Sequence, residues 1–352
     1  MASRPRRRFL EVTGKAPGEM LKGILTGRLP GKHVAGASGS TSPGEVQGVG
    51  DGGGAGLNAL MGEVCYSAML TPKGNMITDL RVFRGLEPDA FLLDLPDVGT
   101  EGALENFRKF LPPRLARVQD RSEELSVLTL FGPEVLPLLA QAFGGTFPTS
   151  TLEGLAAQPE GGELVLRGLG SSPMRIARNG DVSGPAWDVL LPPGDREEIR
   201  LRLEDAGAVP LSQSTWEVLR VERGRPAFGV DMDQDTIPVE AGIHLRAIDY
   251  TKGCFTGHEV IIRIRDRGKV SKLLRHLLLG DAPTPERGEP LYVPGREKAV
   301  GRITSACWSP AMGEGLALGY VGRGVEAGEE VRVGGTDGPP ARVQALDPEG
   351  AG

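Results

Sequence analysis

Beyond residue 280 this chain carries no helical pattern. Apolar segments at 290–293, 299–306, 316–321, 330–333 and 341–346 are short, separated by glycines, and too closely spaced to be bridged by helices. Strands without intervening helices can bury their inner faces only against one another, so this part predicts a small barrel or sandwich. The earlier residues read differently. A strand-like run at 8–12 precedes a helix opened by Pro17, with Met20, Leu21, Ile24 and Leu25 on one face and Gly27 at its close. Strands are expected at 63–70, 77–84 and 91–95, with Pro72, Lys73, Gly74 and Asn75 as a turn. Helices are expected before Pro112, after Pro133, and from Asp195, with Asp195 and Glu198 as a cap pair, to a stop at Gly207. The expected class is α+β, divided into residues 1–276 and 277–352.

Within the first part, residues 36–56 hold nine glycines and two valines in 21 positions. Such a segment cannot offset its ordering entropy by burial, so a flexible insertion is expected. Its cluster Gly52, Gly53, Gly54 lacks both the Lys-Ser/Thr and the preceding strand of a phosphate loop. Forty Lys+Arg against 46 Asp+Glu give a net charge of −6, which argues against direct nucleic-acid binding. The odd, scattered cysteines (Cys65, Cys254, Cys307) fit a reducing compartment rather than a disulfide framework. No metal site is expected, because His and Cys never gather at ligand spacing. No run approaches the ~18 apolar residues of a membrane span, and the basic start is not followed by a signal-peptide core. A soluble, cytoplasmic protein is expected.

The residues at 231–269 are the most informative. Thr256, Gly257, His258 and Glu259 spell a capping box that opens a helix with Val260, Ile261 and Ile264 on one face. Cys254 precedes that start, two residues from Lys252, the setting that favours a thiolate. Cys65 and Cys307 sit in apolar runs and read as core fillers.

The stretch KGCFTGHE at 252–259 resembles the K-G-C-aromatic-x-G-Q-E signature of YgfZ-type proteins, folate-binding relatives of the glycine-cleavage T-protein (GcvT, aminomethyltransferase). LEVTG at 10–14, GEVCYSAMLTPKGNMITDLRVFR at 62–84, WEVLRVERGRPAFGVDMD at 216–233, PVEAG at 238–242 and GRITSACWSP at 301–310 agree with it, in order. His258 stands where the signature has Gln. The resemblance implies a three-domain cloverleaf: two interleaved α+β domains, a C-terminal β-barrel, and tetrahydrofolate in the central opening. By position it implies Asp79 near the reactive folate nitrogens, Tyr66 in the cavity wall and Glu222 on the pterin. Lys252 would face the glutamyl tail, with weaker assignments to Glu240 and Arg263. Cys254 is a YgfZ-type feature and Asp79 a T-protein feature. The main expectation is thus a tetrahydrofolate-binding accessory protein that supports iron-sulfur cluster enzymes and tRNA modification through Cys254. The alternatives are a folate-dependent aminomethyltransferase in which Asp79 is catalytic and a lipoyl carrier protein is the partner, and a scaffold that binds no folate.

Overall fold

A computed structural model describes residues 6–35, 58–143, 149–167, 172–268 and 270–346. The glycine-rich segment expected to be a flexible insertion lies outside the described residues.

Among the described residues ten strands form one antiparallel sheet: β1 (Arg7–Gly14), β2 (Val34–Ala35), β3 (Asn58–Leu70), β4 (Met76–Arg84), β5 (Phe91–Pro96), β6 (Ala116–Asp120), β7 (Ser126–Phe131), β8 (Gly162–Arg167), β9 (Met174–Asn179) and β10 (Ala186–Leu191). Their order is β6-β1-β5-β4-β3-β8-β9-β10-β7, with β2 paired to β3. The long strand β3 joins the two halves, because Asn58 to Glu63 pair with β8 while Val64 to Leu70 pair with β4.

In a flat sheet β4 and β10 would lie about 19 Å apart, four strand spacings. Arg81 of β4 nevertheless bonds Asp188 of β10 at 2.5 Å, so the sheet curls into a half-barrel. Each half is backed by its own helices. Leu10, Val12, Leu80, Val82 and Leu93 pack with the helices Pro17–Ile24 and Thr100–Phe110. Leu128, Leu130, Leu164, Ile176 and Val189 pack with the helices Val135–Ala142 and Arg196–Asp205.

The remaining strands, β11 (Lys272–Gly280), β12 (Pro290–Tyr292), β13 (Gly301–Ser309), β14 (Glu314–Gly322), β15 (Glu330–Val333) and β16 (Pro340–Gln344), close into a barrel in the order β11-β14-β13-β12-β15-β16. Its interior is filled by Leu277, Leu279, Leu291, Ile303, Val321, Val331 and Val343. The fold is therefore α+β with a closed C-terminal barrel, as the sequence led us to expect. The helix Gln213–Arg223 lies against β13 and is locked there through Asp231, which accepts from Arg220 (2.7 Å), Thr304 (2.5 Å) and Ser305 (2.7 Å).

Candidate active site

Alternation along the strands puts Asp79, Arg81 and Phe83 on one face of β4, and Arg7 and Phe9 on one face of β1. The concave side of the half-barrel is layered accordingly. At its base Phe9, Val64, Phe83, Leu92, Ala177 and Leu190 form an apolar plug. One strand step away lies a buried polar belt. Arg81 donates from Nε to Asp94 Oδ2 (2.8 Å) and from Nη1 to Asp188 Oδ2 (2.5 Å), and Arg7 donates to Asp94 Oδ1 (2.6 Å). Thr129 (2.6 Å) and Asn179 (2.9 Å) satisfy the rest of Asp188. Buried charges persist only when paired in this way.

Asp79 stands one further step along β4, where the belt opens onto a cavity. Tyr66 donates its hydroxyl to Asp79 Oδ2 at 2.8 Å, while Asp79 Oδ1 is buried and accepts no hydrogen bond from the described residues. Burial pushes the Asp79 carboxyl above the usual range, against the opposing pull of the Arg7 guanidinium and the Tyr66 hydroxyl. Burial, with the neighbouring Asp79 charge, pushes the Tyr66 phenol up, so it stays a donor. A carboxylate held by one oxygen and free at the other can accept from a ligand N–H or hold a proton there.

The cavity has two chambers. The inner one, of about 100 Å³, is lined by Arg7, Tyr66, Asp79, Trp216, Arg225 and Phe228 among others. The outer one, of about 390 Å³, includes Arg28, Cys65, Glu160, Arg178, Gly180 and Leu245. They share Tyr66, Asp181 and Arg246. Arg246, on the short helix His244–Ala247, lays its guanidinium 4.4 Å from the centre of the Tyr66 ring and so forms part of the partition.

The structure brings Tyr66 and Asp79 together and sets the other expected site residues elsewhere. Glu222 accepts from Ser309 of the barrel at 2.6 Å. Glu240 is buried and accepts from Ser271 at 2.9 Å. Neither lines a chamber. Lys252 turns inward and donates to the carbonyls of Leu25 (2.5 Å) and Gly27 (2.9 Å), burial lowering its pKa to about 8. Arg263 is exposed and pairs with Glu259 one helical turn away.

The capping box does not form. Gly257, at φ 83°, is the N-cap of the helix His258–Arg267, and no side chain caps it. Glu259 bonds Arg263 instead, and Thr256 Oγ1 lies 3.4 Å from the Gly23 carbonyl. The left-handed glycine turns the chain in a way that Thr256 and Glu259 cannot bridge. The separate expectation at Asp195 also fails, since no side chain caps the helix Arg196–Asp205. Cys254 is exposed, whereas burial raises the pKa of Cys65 to about 12 and of Cys307 to about 11.

The sequence reading missed Arg7, Asp181, Trp216, Arg225, Phe228 and Arg246. For Arg7 a signal was present, since an arginine two positions before Phe9 shares its inward face. The others reach the cavity from loops and helix ends, where no periodicity points to them.

Residues 56–252 match the GCVT N-terminal domain family, and residues 272–347 match the glycine cleavage T-protein C-terminal barrel domain family. The chain is 29% identical over 299 residues to the aminomethyltransferase of Rubrobacter xylanophilus, a match covering 82% of this chain and 76% of that protein. It is 30% identical over 284 residues to the aminomethyltransferase of Synechococcus sp. strain WH7803, covering 77% and 74%. The crystal structure of the glycine cleavage system aminomethyltransferase T from Bartonella henselae superposes with a TM-score of 0.75 at 18% identity, covering 98% of this chain and 84% of that one. At that identity the superposition bears on the fold alone.

Proposed function

Since the chain belongs to the glycine cleavage T-protein family, we propose that it is a folate-dependent aminomethyltransferase. In this reading it moves a one-carbon unit from an aminomethyl group on a lipoyl carrier protein to tetrahydrofolate. The observation that carries the reading is Asp79: a buried carboxylate in the lining of the inner chamber, with one oxygen fixed by Tyr66 and the other without a hydrogen-bond partner among the described residues. A group with ring N–H donors and an acidic tail fits these residues, because Asp79 Oδ1 lacks a donor and Arg7, Arg225 and Arg246 supply positive charge around it.

When bound, tetrahydrofolate supplies the nitrogen that takes up the one-carbon unit. Tyr66 orients Asp79 by holding Oδ2. Asp79 Oδ1 accepts the ligand N–H and, with its pKa raised, can hold the proton given up there. Trp216 and Phe228 give the inner chamber apolar walls that limit water. Asp79 and Tyr66 are the site residues we retain. Lys252 would support the outer wall through the Gly27 carbonyl, and Glu222, Glu240 and Arg263 are given no part in the site. The division into a folate-binding part and a C-terminal barrel belongs to the same proposal, although the barrel's first strand begins at Lys272, ahead of the boundary expected between 276 and 277.

A second reading rests on the exposure of Cys254 in the KGCFTG turn. It makes the chain a YgfZ-type accessory protein whose thiol acts on iron-sulfur enzymes, tRNA-modifying ones included. The matched relatives are aminomethyltransferases, which favours the first reading. One assay separates them: release of ammonia and methylene-tetrahydrofolate from aminomethylated lipoyl protein. The transferase reading expects turnover that falls about 10²–10⁴-fold in Asp79→Asn, the scale of a lost acid–base group, and is unchanged in Cys254→Ser. Absent turnover with measurable tetrahydrofolate binding would overturn it in favour of the accessory role. Absent binding would leave the scaffold.

A further inference from the structure

Glu160 sits between the last turn of the helix Thr149–Ala156 and β8. Its carboxylate lies where the two chambers meet. Oε2 is 3.2 Å from Arg225 Nη2, and Oε1 is bonded by Arg246 Nη2. The three side chains differ in exposure: 38% for Glu160 against 8% for Arg225 and 15% for Arg246. The arginines are fixed. Arg225 Nε is held by the Gly180 carbonyl at 2.9 Å, and Arg246 stacks on Tyr66. The carboxylate is the most exposed member of the three, on a side chain that lines the outer chamber.

An elongated ligand with a ring against Asp79 and an acidic tail cannot be housed in the inner chamber alone. It must thread the partition, and its tail carboxylate then meets the two guanidiniums that Glu160 holds. A second feature shows how closely the carboxylate is seated. A Cβ built on Gly180 would lie 2.1 Å from Glu160 Cδ and 2.2 Å from its Oε2. Gly180 is not in the left-handed region, so only the lack of a side chain at this position allows the carboxylate to rest there.

We propose that Glu160 is a built-in competitor for the ligand's acidic tail: its carboxylate occupies the Arg225–Arg246 pair and is displaced when a tail carboxylate binds. The inference rests on the folate reading for the ligand's identity but not for the competition itself. Glu160 thereby sets how strongly the site favours ligands whose tail charge can outcompete one carboxylate on two guanidiniums.

Two variants remove the competitor by different means. Glu160→Gln keeps the shape and discards the charge; Gly180→Ala keeps the charge and pushes the carboxylate aside. Calorimetry with tetrahydrofolate should show tighter binding in both, by roughly fivefold, the order of one partly exposed ion pair. Tetrahydropteroate, which lacks the glutamate, should bind all three proteins alike. If both variants fold and bind tetrahydrofolate no more tightly than the parent protein, Glu160 merely neutralises buried arginines and the proposal is overturned. Equal gains with tetrahydropteroate would also overturn it, since the tail would then be irrelevant. Should the parent protein fail to bind tetrahydrofolate, the folate reading falls. The competition is then decided by ligand-observed NMR with p-aminobenzoylglutamate, where stronger binding to both variants supports it and unchanged binding refutes it.

Discussion

The half-barrel and the closed barrel are built from the same material, antiparallel strands curved around an interior, yet their interiors are opposites. The closed barrel is filled with Leu, Ile and Val side chains. The half-barrel covers its base with an apolar plug but sets two arginines and three aspartates above it. Closure accounts for the difference. A six-stranded closed barrel leaves an interior that side chains fill, whereas the curled open sheet keeps a mouth that can admit a ligand. Replacing a buried ion pair by apolar side chains is often neutral or stabilising, so a belt of charge beside a cavity supports the binding role proposed for this region.

The sharpest test of this contrast is Arg81→Met. It leaves Asp94 and Asp188 short of a partner, and urea unfolding should show a loss of about 3–5 kcal/mol, the usual cost of breaking a buried pair. A loss below about 1 kcal/mol would mean that Arg7, Thr129 and Asn179 alone hold the belt and that the charge layer is dispensable. In the closed barrel, Leu291→Ala should cost about 3 kcal/mol through lost burial and a cavity, while folate affinity of the folded protein stays unchanged. Reduced affinity would show that the two interiors are coupled.

Tyr66→Phe should cost about 1–2 kcal/mol near neutral pH, because Asp79 Oδ2 loses its donor. The sign with pH follows from the linkage. The Tyr66 hydrogen bond lowers the Asp79 pKa against the larger effect of burial. Its removal raises that pKa further, so the stability gap is present where the carboxylate is ionised and closes as pH falls and the carboxyl takes up a proton. The acid limb of the pH–rate profile should move to higher pH in the variant. An unmoved limb would take Asp79 out of the proton path. Smallest of all, Cys254→Ser should change stability by less than about 0.5 kcal/mol, as expected of an exposed site. Mass spectrometry after alkylation of the native protein should find Cys254 modified first, ahead of Cys307 and Cys65, whose thiols are pushed up to about 11 and 12. If Cys65 reacts first, the outer chamber is more open than its burial indicates.

Much of this architecture was legible in the sequence. The helix-free pattern after residue 280 pointed to a small barrel or sandwich, of which the barrel forms, and the strand expected at 77–84 forms as β4. Tyr66 and Asp79, thirteen residues apart, meet because β3 and β4 are neighbours in a hairpin whose register a sequence can carry. Glu222 could not be placed in this way. It lies in the last turn of a helix, and which side faces the cavity depends on how that helix docks on β13, where Ser309 takes its carboxylate. Nor could the sequence show the bonds of Lys252, whose ammonium is claimed by carbonyls more than two hundred residues earlier in the chain. The capping box failed on one dihedral angle, that of Gly257.

The partition shared by the two chambers also bears on how a newly made chain reaches its working state. Tyr66 and Asp79 leave the ribosome early, but Asp181, Arg225 and Arg246 follow more than a hundred residues later. At about 5–20 residues per second, that interval lasts many seconds. Until the later residues arrive, Asp79 has no wall opposite it, and the site proposed for the ligand is incomplete. Any rescue of folding by added ligand is therefore available only to a chain synthesised past Arg246, and truncated products ending before it gain nothing from the ligand however high its concentration.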